Sequence, residues 1–228
     1  TIDSLGCASY EPSPPAEAPK TSAPSSEAPS GDTALIEGEA PTFIGPYRVV
    51  DKLGSGGMGV VFKCWDEPLR RHVAVKVLKE KYAQDTSYRR RFQREAQVVA
   101  SISHPSVAHV YGIGEFQGKV CSTVYIAMEL VDGSSLDQVL AGEGKLPLKQ
   151  AVGLARGVAL GLKEAYSKGI IHRDIKPSNL LVTASGGVKI VDFGLAKELG
   201  GKNSMTDAGI VLGTPHYISP EQGRGQVV

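Results

Sequence analysis

Cysteine is scarce in this chain of 228 residues, with only Cys7, Cys64 and Cys121 present. An odd number at these spacings builds neither a disulfide frame nor a zinc site. The scarcity suits a reducing compartment, so a cytoplasmic location is expected. No apolar run precedes Cys7, which therefore does not read as a lipid-anchor cysteine. Apolar runs of about 18 residues, the length a spanning helix needs, are missing throughout. Net charge is nearly absent too, at +1. That balance offers no footprint for nucleic acid or an anionic membrane surface. What is there, 41% hydrophobic and 21% charged residues, is ordinary for a folded domain in water.

The small net charge hides an uneven spread. Residues 1–41 hold seven acids and one base, and the remainder carries 24 bases and 17 acids. The same 41 residues contain seven of the fourteen prolines. The run Pro12-Ser13-Pro14-Pro15-Ala16-Glu17-Ala18-Pro19 cannot form a regular helix or ladder strand, and its few apolar side chains cannot offset the cost of ordering. Residues 1–41 are expected to be an acidic, disordered linker rich in Pro, Ser, Ala and Glu, with a docking motif as the alternative. The first residue is Thr1 rather than Met, so more protein is expected to precede it.

Order is expected from Thr42. Strands are predicted at Tyr47–Leu53, Val60–Trp65, His72–Leu78, Val107–Ile113 and Val120–Met128, with the glycine-rich turn Gly54–Gly59 joining the first two. Thr86–Ser101 has helical spacing with Phe92, Ala96 and Val99 on one face. Leu148–Ser167 is predicted as a longer helix with Val152, Ala155, Val158, Ala159, Leu162, Ala165 and Tyr166 at helical spacing. Its glycines, Gly153, Gly157 and Gly161, each cost about 1 kcal/mol against Ala. They also leave a smooth stripe for close approach of another backbone. Short strands are predicted at Leu180–Val182 and Val188–Val191.

Four segments carry chemistry. Gly54-Ser55-Gly56-Gly57-Met58-Gly59 can lay backbone amides close over phosphates, where a Cβ would collide. It lies between strands rather than between strand and helix, which argues against a dinucleotide fold and for a phosphate lid. Val73-Ala74-Val75-Lys76 places a lysine inside an apolar strand, where its charge needs a partner or ligand. Glu95, on the following helix, is the natural counter-ion, and an edge lysine facing water is the plain alternative. His172-Arg173-Asp174-Ile175-Lys176-Pro177-Ser178-Asn179 reads as a polar loop leaving the core after Ile170-Ile171. There Asp174 can accept a proton, Lys176 can balance phosphoryl charge, and Asn179 is a neutral oxygen ligand for Mg²⁺. Asp192-Phe193-Gly194 follows a strand, with a carboxylate as second oxygen ligand, Phe193 for the core and Gly194 for the turn.

Together with Ser219-Pro220-Glu221, these segments occur in the order and spacing of protein kinases. Over about residues 46–228 the chain resembles the eukaryotic-like Ser/Thr protein kinases of bacteria, and Gly213–Gln222 looks especially bacterial. The resemblance implies an α+β, two-lobed kinase fold. A five-stranded antiparallel sheet plus one helix would form the small lobe, about 42–130. A mainly helical, incomplete large lobe would occupy about 131–228.

It also implies phosphoryl transfer from ATP to Ser or Thr hydroxyls of proteins, with Mg²⁺ or Mn²⁺. The glycine turn would cover the phosphates, and Lys76, held by Glu95, would grip them. Asn179 and Asp192 would hold the metal, Asp174 would deprotonate the acceptor, and Lys176 would contact the γ-phosphate. Leu53, Val61, Ala74 and Leu181 would sandwich the adenine. Met128 would be the gatekeeper, with backbone groups of Glu129 and Val131 at the adenine edge. Val99, Val110, His172 and Phe193 would stack as an apolar column between the lobes. Thr214 and Lys176 fit Ser/Thr specificity. Arg173, beside Asp174, calls for a phosphate on the loop from Asp192 to Glu221, with Ser204 and Thr206 as autophosphorylation candidates and self-association as the route. The basic run Arg89–Arg91 and Arg94 would receive that phosphate or form a solvated helix face.

The chain ends at Val228, soon after Ser219-Pro220-Glu221. The resemblance implies further helices beyond it, and the competing readings are a scaffolding pseudokinase and a small-molecule phosphotransferase. Intact Lys76, Asp174 and Asp192 argue against the first, and Gly213–Gln222 against the second. The 228-residue piece alone is expected to be inactive and to expose apolar faces of its longer helix. A membrane anchor in the parent protein is a further expectation.

Overall fold

The computed structural model describes residues 41–57, 59–118, 121–193 and 215–224, without the side chains of Arg91, Glu95 and Pro215. The linker expected at 1–41 therefore lies almost wholly outside the described residues.

An antiparallel sheet of six strands comes first, in the order β1-β2-β3-β4-β6-β5. Its members are β1 (Phe43–Ile44), β2 (Tyr47–Ser55), β3 (Gly59–Asp66), β4 (Arg71–Leu78), β5 (Val110–Gln117) and β6 (Ser122–Glu129). Alternation sorts the side chains by face. Val73, Val75 and Val77 join Phe62, Tyr125 and Ala127 on one side. Val124 and Ile126 pack on the other against α2 (Thr86–Ala100), through Phe92, Ala96 and Val99. The face predicted for that helix is thus the buried one. Asp85 caps it, its carboxylate accepting from the Ser87 N–H at 2.7 Å. A short α1 (Glu80–Ala83) precedes it.

Two corrections concern strands. The sheet has six members rather than five because the two-residue β1 pairs with the start of β2, too short to leave a period in the sequence. The strand predicted at Val107–Ile113 begins later, at Val110. Residues 106–108 bond instead to β9 (Val188–Ile190): Ile190 N–H donates to Ser106 C=O at 2.8 Å, and Ala108 N–H to Ile190 C=O at 3.0 Å. This crossing ties the sheet to the second half of the chain.

That half holds a three-stranded sheet, β7 (Gly133–Ser135), β8 (Leu180–Thr183) and β9, in that order. α3 (Leu136–Glu143) and α4 (Leu148–Ser167) pack on it, and a short α5 (Pro220–Gly223) comes last among the described elements. The inward face of α4 carries Leu154, Gly161 and Ala165. Of the stripe predicted from spacing, Ala165 is buried and Val158 and Leu162 pack against the core, whereas Val152 and Tyr166 are exposed, as are Leu148 and Leu160. Glycine helps to decide which face turns inward. A Cβ on Gly157 would lie 2.7 Å from Val188 Cγ1, and one on Gly161 2.9 Å from Ile190 Cδ1 and 3.3 Å from the Ser106 carbonyl, whereas Gly153 faces open space. The smooth stripe is therefore two glycines long, and β9 is what it meets.

Candidate active site

β2 and β3 form the expected hairpin, with Gly54 opposite Val61 and Ser55 opposite Val60. The turn closes where Gly56 N–H donates to Gly59 C=O at 2.9 Å. A Cβ on Gly59 would stand 2.7 Å from the Val77 carbonyl oxygen, so only glycine lets β3 start this close to β4. Met58 lies outside the described residues. Lys79, not singled out from the sequence, donates from Nζ to Gly56 C=O at 2.6 Å and places a cation against the turn.

Lys76 stands in β4 opposite Val61 and Ile126. Its Nζ is 2.7 Å from Asp192 Oδ1, with the lysine side chain 15% and the aspartate 37% exposed. A pair this wet contributes about 0–1 kcal/mol to stability. Its significance is placement: an amine and a carboxylate from distant parts of the chain meet. The expected partner Glu95 is on α2, but its side chain lies outside the described residues.

After α4 the chain enters the polar loop through buried His172. The ring lies between two backbone groups: Nε2 against the Val191 C=O at 3.0 Å, and Nδ1 accepting from the Asp174 N–H at 3.3 Å. A carbonyl needs a donor and an amide needs an acceptor, so the ring is the neutral Nε2–H tautomer. Burial holds its pKa below the ordinary value and so favours that form. Beyond it, Asn179 Nδ2 donates to the Asp174 C=O at 2.8 Å and to its Oδ2 at 3.2 Å. Lys176 Nζ is 3.2 Å from the same Oδ2. Val191 N–H donates to the Asn179 C=O at 3.0 Å, which sets the strand end carrying Asp192 beside the loop.

Arg173 and Asp192 both adopt left-handed backbone, with φ of 60° and 53°. Such φ values are uncommon outside glycine and cluster at functional sites. They turn the chain sharply at the two points where Asp174 and Asp192 must face one another's segment.

The apolar residues fall into place around this cluster. Ala74 is opposite Met128 in the ladder, and Ala74 is buried while Leu53 is half exposed. Val61, Met128, Val131 and Leu181 are partly buried. Val99, Val110, Met128, Asp192 and Phe193 line one small cavity of about 20 Å³. The His172 and Phe193 rings are 4.6 Å apart, so the four members of the expected column are adjacent and buried. Glu129 brings a refinement. Its N–H donates to the His109 C=O at 2.8 Å, which removes that donor from an adenine edge. Its carboxylate is held through both oxygens by Lys189 on β9, each at 2.8 Å.

Some expectations remain outside this picture. Ser204, Thr206, Thr214 and Gly194 lie outside the described residues. Arg89 is engaged by Glu115. Among the described residues, no three His, Cys, Asp or Glu side chains cluster as a metal centre. Oxygen atoms that could serve a cation are those of Asp192 and of Asn179, whose Nδ2 is committed to Asp174. An oxygen-only set suits Mg²⁺ or Mn²⁺ rather than a thiolate-seeking metal. Cys64 adds nothing reactive, since burial pushes its thiol up to about 12.

A glycine lid over a lysine–aspartate pair, beside a strapped His-Arg-Asp loop, defines a phosphoryl-transfer class of fold. Residues 47–226 match the family model described as protein kinase domain, and the chain belongs to that family. Several of its relatives are bacterial. It is 42% identical over 182 residues to the serine/threonine-protein kinase PknB of Mycobacterium leprae, covering 80% of this chain and 29% of the relative. To the serine/threonine-protein kinase PknA of Mycobacterium tuberculosis it is 42% identical over 185 residues, covering 81% and 43%. The chain thus spans less than half the length of these curated relatives. Among solved structures, the Mycobacterium tuberculosis PknI kinase domain superposes with a TM-score of 0.64 at 32% identity, covering 86% of this chain and 71% of that one. Among the described residues, no helix is long and apolar enough to cross a membrane.

Proposed function

We propose that this domain transfers the γ-phosphoryl of ATP to Ser or Thr hydroxyls of proteins. The observation that carries the reading is the meeting of Lys76, Asp192 and the Asp174–Lys176–Asn179 cluster in one cleft. Bound Mg²⁺–ATP would supply the phosphoryl group and the charge neutralisation that the transfer needs. Lys76 would bind phosphate oxygens with the ammonium that Asp192 now holds. Asp192 and Asn179 would supply hard oxygens to the metal. Asp174 accepts the proton of the acceptor hydroxyl, and Lys176 keeps positive charge beside it. The Gly56–Gly59 turn covers the phosphates and excludes water.

Two observations support this acceptor class: the similar proteins PknB and PknA are named serine/threonine-protein kinases, and Lys176 stands two places after Asp174. The full-length protein, given Mg²⁺ and γ-labelled ATP, should label Ser and Thr of casein-like proteins and leave aminoglycosides unlabelled. Labelling of the small molecules alone would contradict the proposal.

A further inference from the structure

We infer that Gln222, at the end of the kinase motif segment, is a positioning residue for Asp174. The inference deepens the proposed phosphoryl transfer and rests on it. Gln222 Nε2 donates to the Arg173 C=O at 3.0 Å, across 49 positions of sequence. That carbonyl belongs to the same peptide plane as the Asp174 N–H, which donates to His172 Nδ1 at 3.3 Å. One rigid peptide group is therefore gripped at both polar ends, from two different parts of the chain. It sits directly after the left-handed Arg173 and directly before the acceptor-facing carboxylate. Rotation of this plane swings the Asp174 backbone, and the local strain at Arg173 gives it reason to rotate.

Gln222 is itself fixed. Its Oε1 accepts from the Ser219 N–H and its own N–H donates to Ser219 Oγ, both at 3.3 Å, the reciprocal cap of α5. With the oxygen committed to the cap, the NH₂ is oriented toward Arg173. The amide links the cap of α5 to the loop that carries the general base.

Q222E separates the two roles. A carboxylate keeps an oxygen for the Ser219 N–H but presents no hydrogen to the Arg173 carbonyl. In the full-length protein, Mg²⁺–ADP affinity should stay at the unsubstituted value while kcat falls about 10²-fold at pH 8, as expected for a small misplacement at the reacting centre. S219A, which weakens the cap but keeps the amide donor, should lower the melting temperature and leave kcat unchanged. Equal kcat in Q222E, or equal losses in S219A and Q222E, would overturn the inference alone. Failure of the unsubstituted protein to bind Mg²⁺–ADP would overturn the proposed function together with it.

Discussion

Lys76 Nζ lies 2.7 Å from Asp192 Oδ1, although 116 positions separate them in sequence. The pair spans the cleft from the first sheet to the segment after β9. Its partial exposure limits its own contribution to stability to about 0–1 kcal/mol. K76M should therefore change the unfolding free energy by no more than about 1 kcal/mol while lowering kcat/KM about 10²–10³-fold, the loss typical of removing one charge-stabilising group. Urea denaturation and peptide phosphorylation, run on the same preparation, check both halves.

Asp174 predicts a different signature. D174N keeps an oxygen for the Asn179 amide and loses the basic carboxylate. Turnover should fall about 10²–10⁴-fold, with ATP affinity unchanged because the nucleotide ligands are elsewhere. Calorimetric titration with Mg²⁺–ADP beside steady-state kinetics distinguishes this from general damage to the site.

His172 links stability to pH. Burial lowers its folded pKa beneath the ordinary 6.5, so the unfolded chain binds the proton first. Its contribution is fully present above that value and is lost as pH falls from there toward the folded pKa. Stability should drop as pH falls through and below 6.5, and H172F should flatten that drop. Denaturant midpoints at a series of pH values measure it.

The glycines of α4 should respond in opposite directions. Gly153 faces open space, so G153A gains about 1 kcal/mol from helix propensity. At Gly161 an added methyl meets Ile190 and the Ser106 carbonyl, so G161A should lose about 1–3 kcal/mol through overpacking. Urea midpoints of the two variants give the comparison.

These glycines also show what the sequence could and could not reveal. Three glycines at a spacing of four announced a close approach, but not which of them made it, because that depends on where β9 lies. Local pattern was sufficient for α2, whose Phe92, Ala96 and Val99 face inward as their period requires. It was insufficient for α4, where Val152 and Tyr166 fit the period and yet face outward. Val107 and Ala108 read as strand, but they pair with Ile190 of β9 rather than with the first sheet. Of the site, the charged residues were legible because a lysine in an apolar strand and an aspartate at a strand end demand partners. The Gln222–Arg173 and Lys189–Glu129 contacts were not, since each joins segments whose proximity only folding creates.

Lys79 is a second residue that only the structure brought to the site. Its bond to the Gly56 carbonyl is exposed, so K79A should raise the KM for ATP about two- to five-fold, the equivalent of a surface-scale interaction. Steady-state kinetics with ATP varied should show this change with kcat little altered.

The most direct test is a crystal structure of the full-length protein with Mg²⁺ and a non-hydrolysable ATP analogue. The account predicts metal–oxygen distances of about 2.0–2.1 Å to Asp192 and Asn179, with Lys76 turned from Asp192 onto the phosphates. A nucleotide bound elsewhere, with the Lys76–Asp192 pair undisturbed, would contradict it.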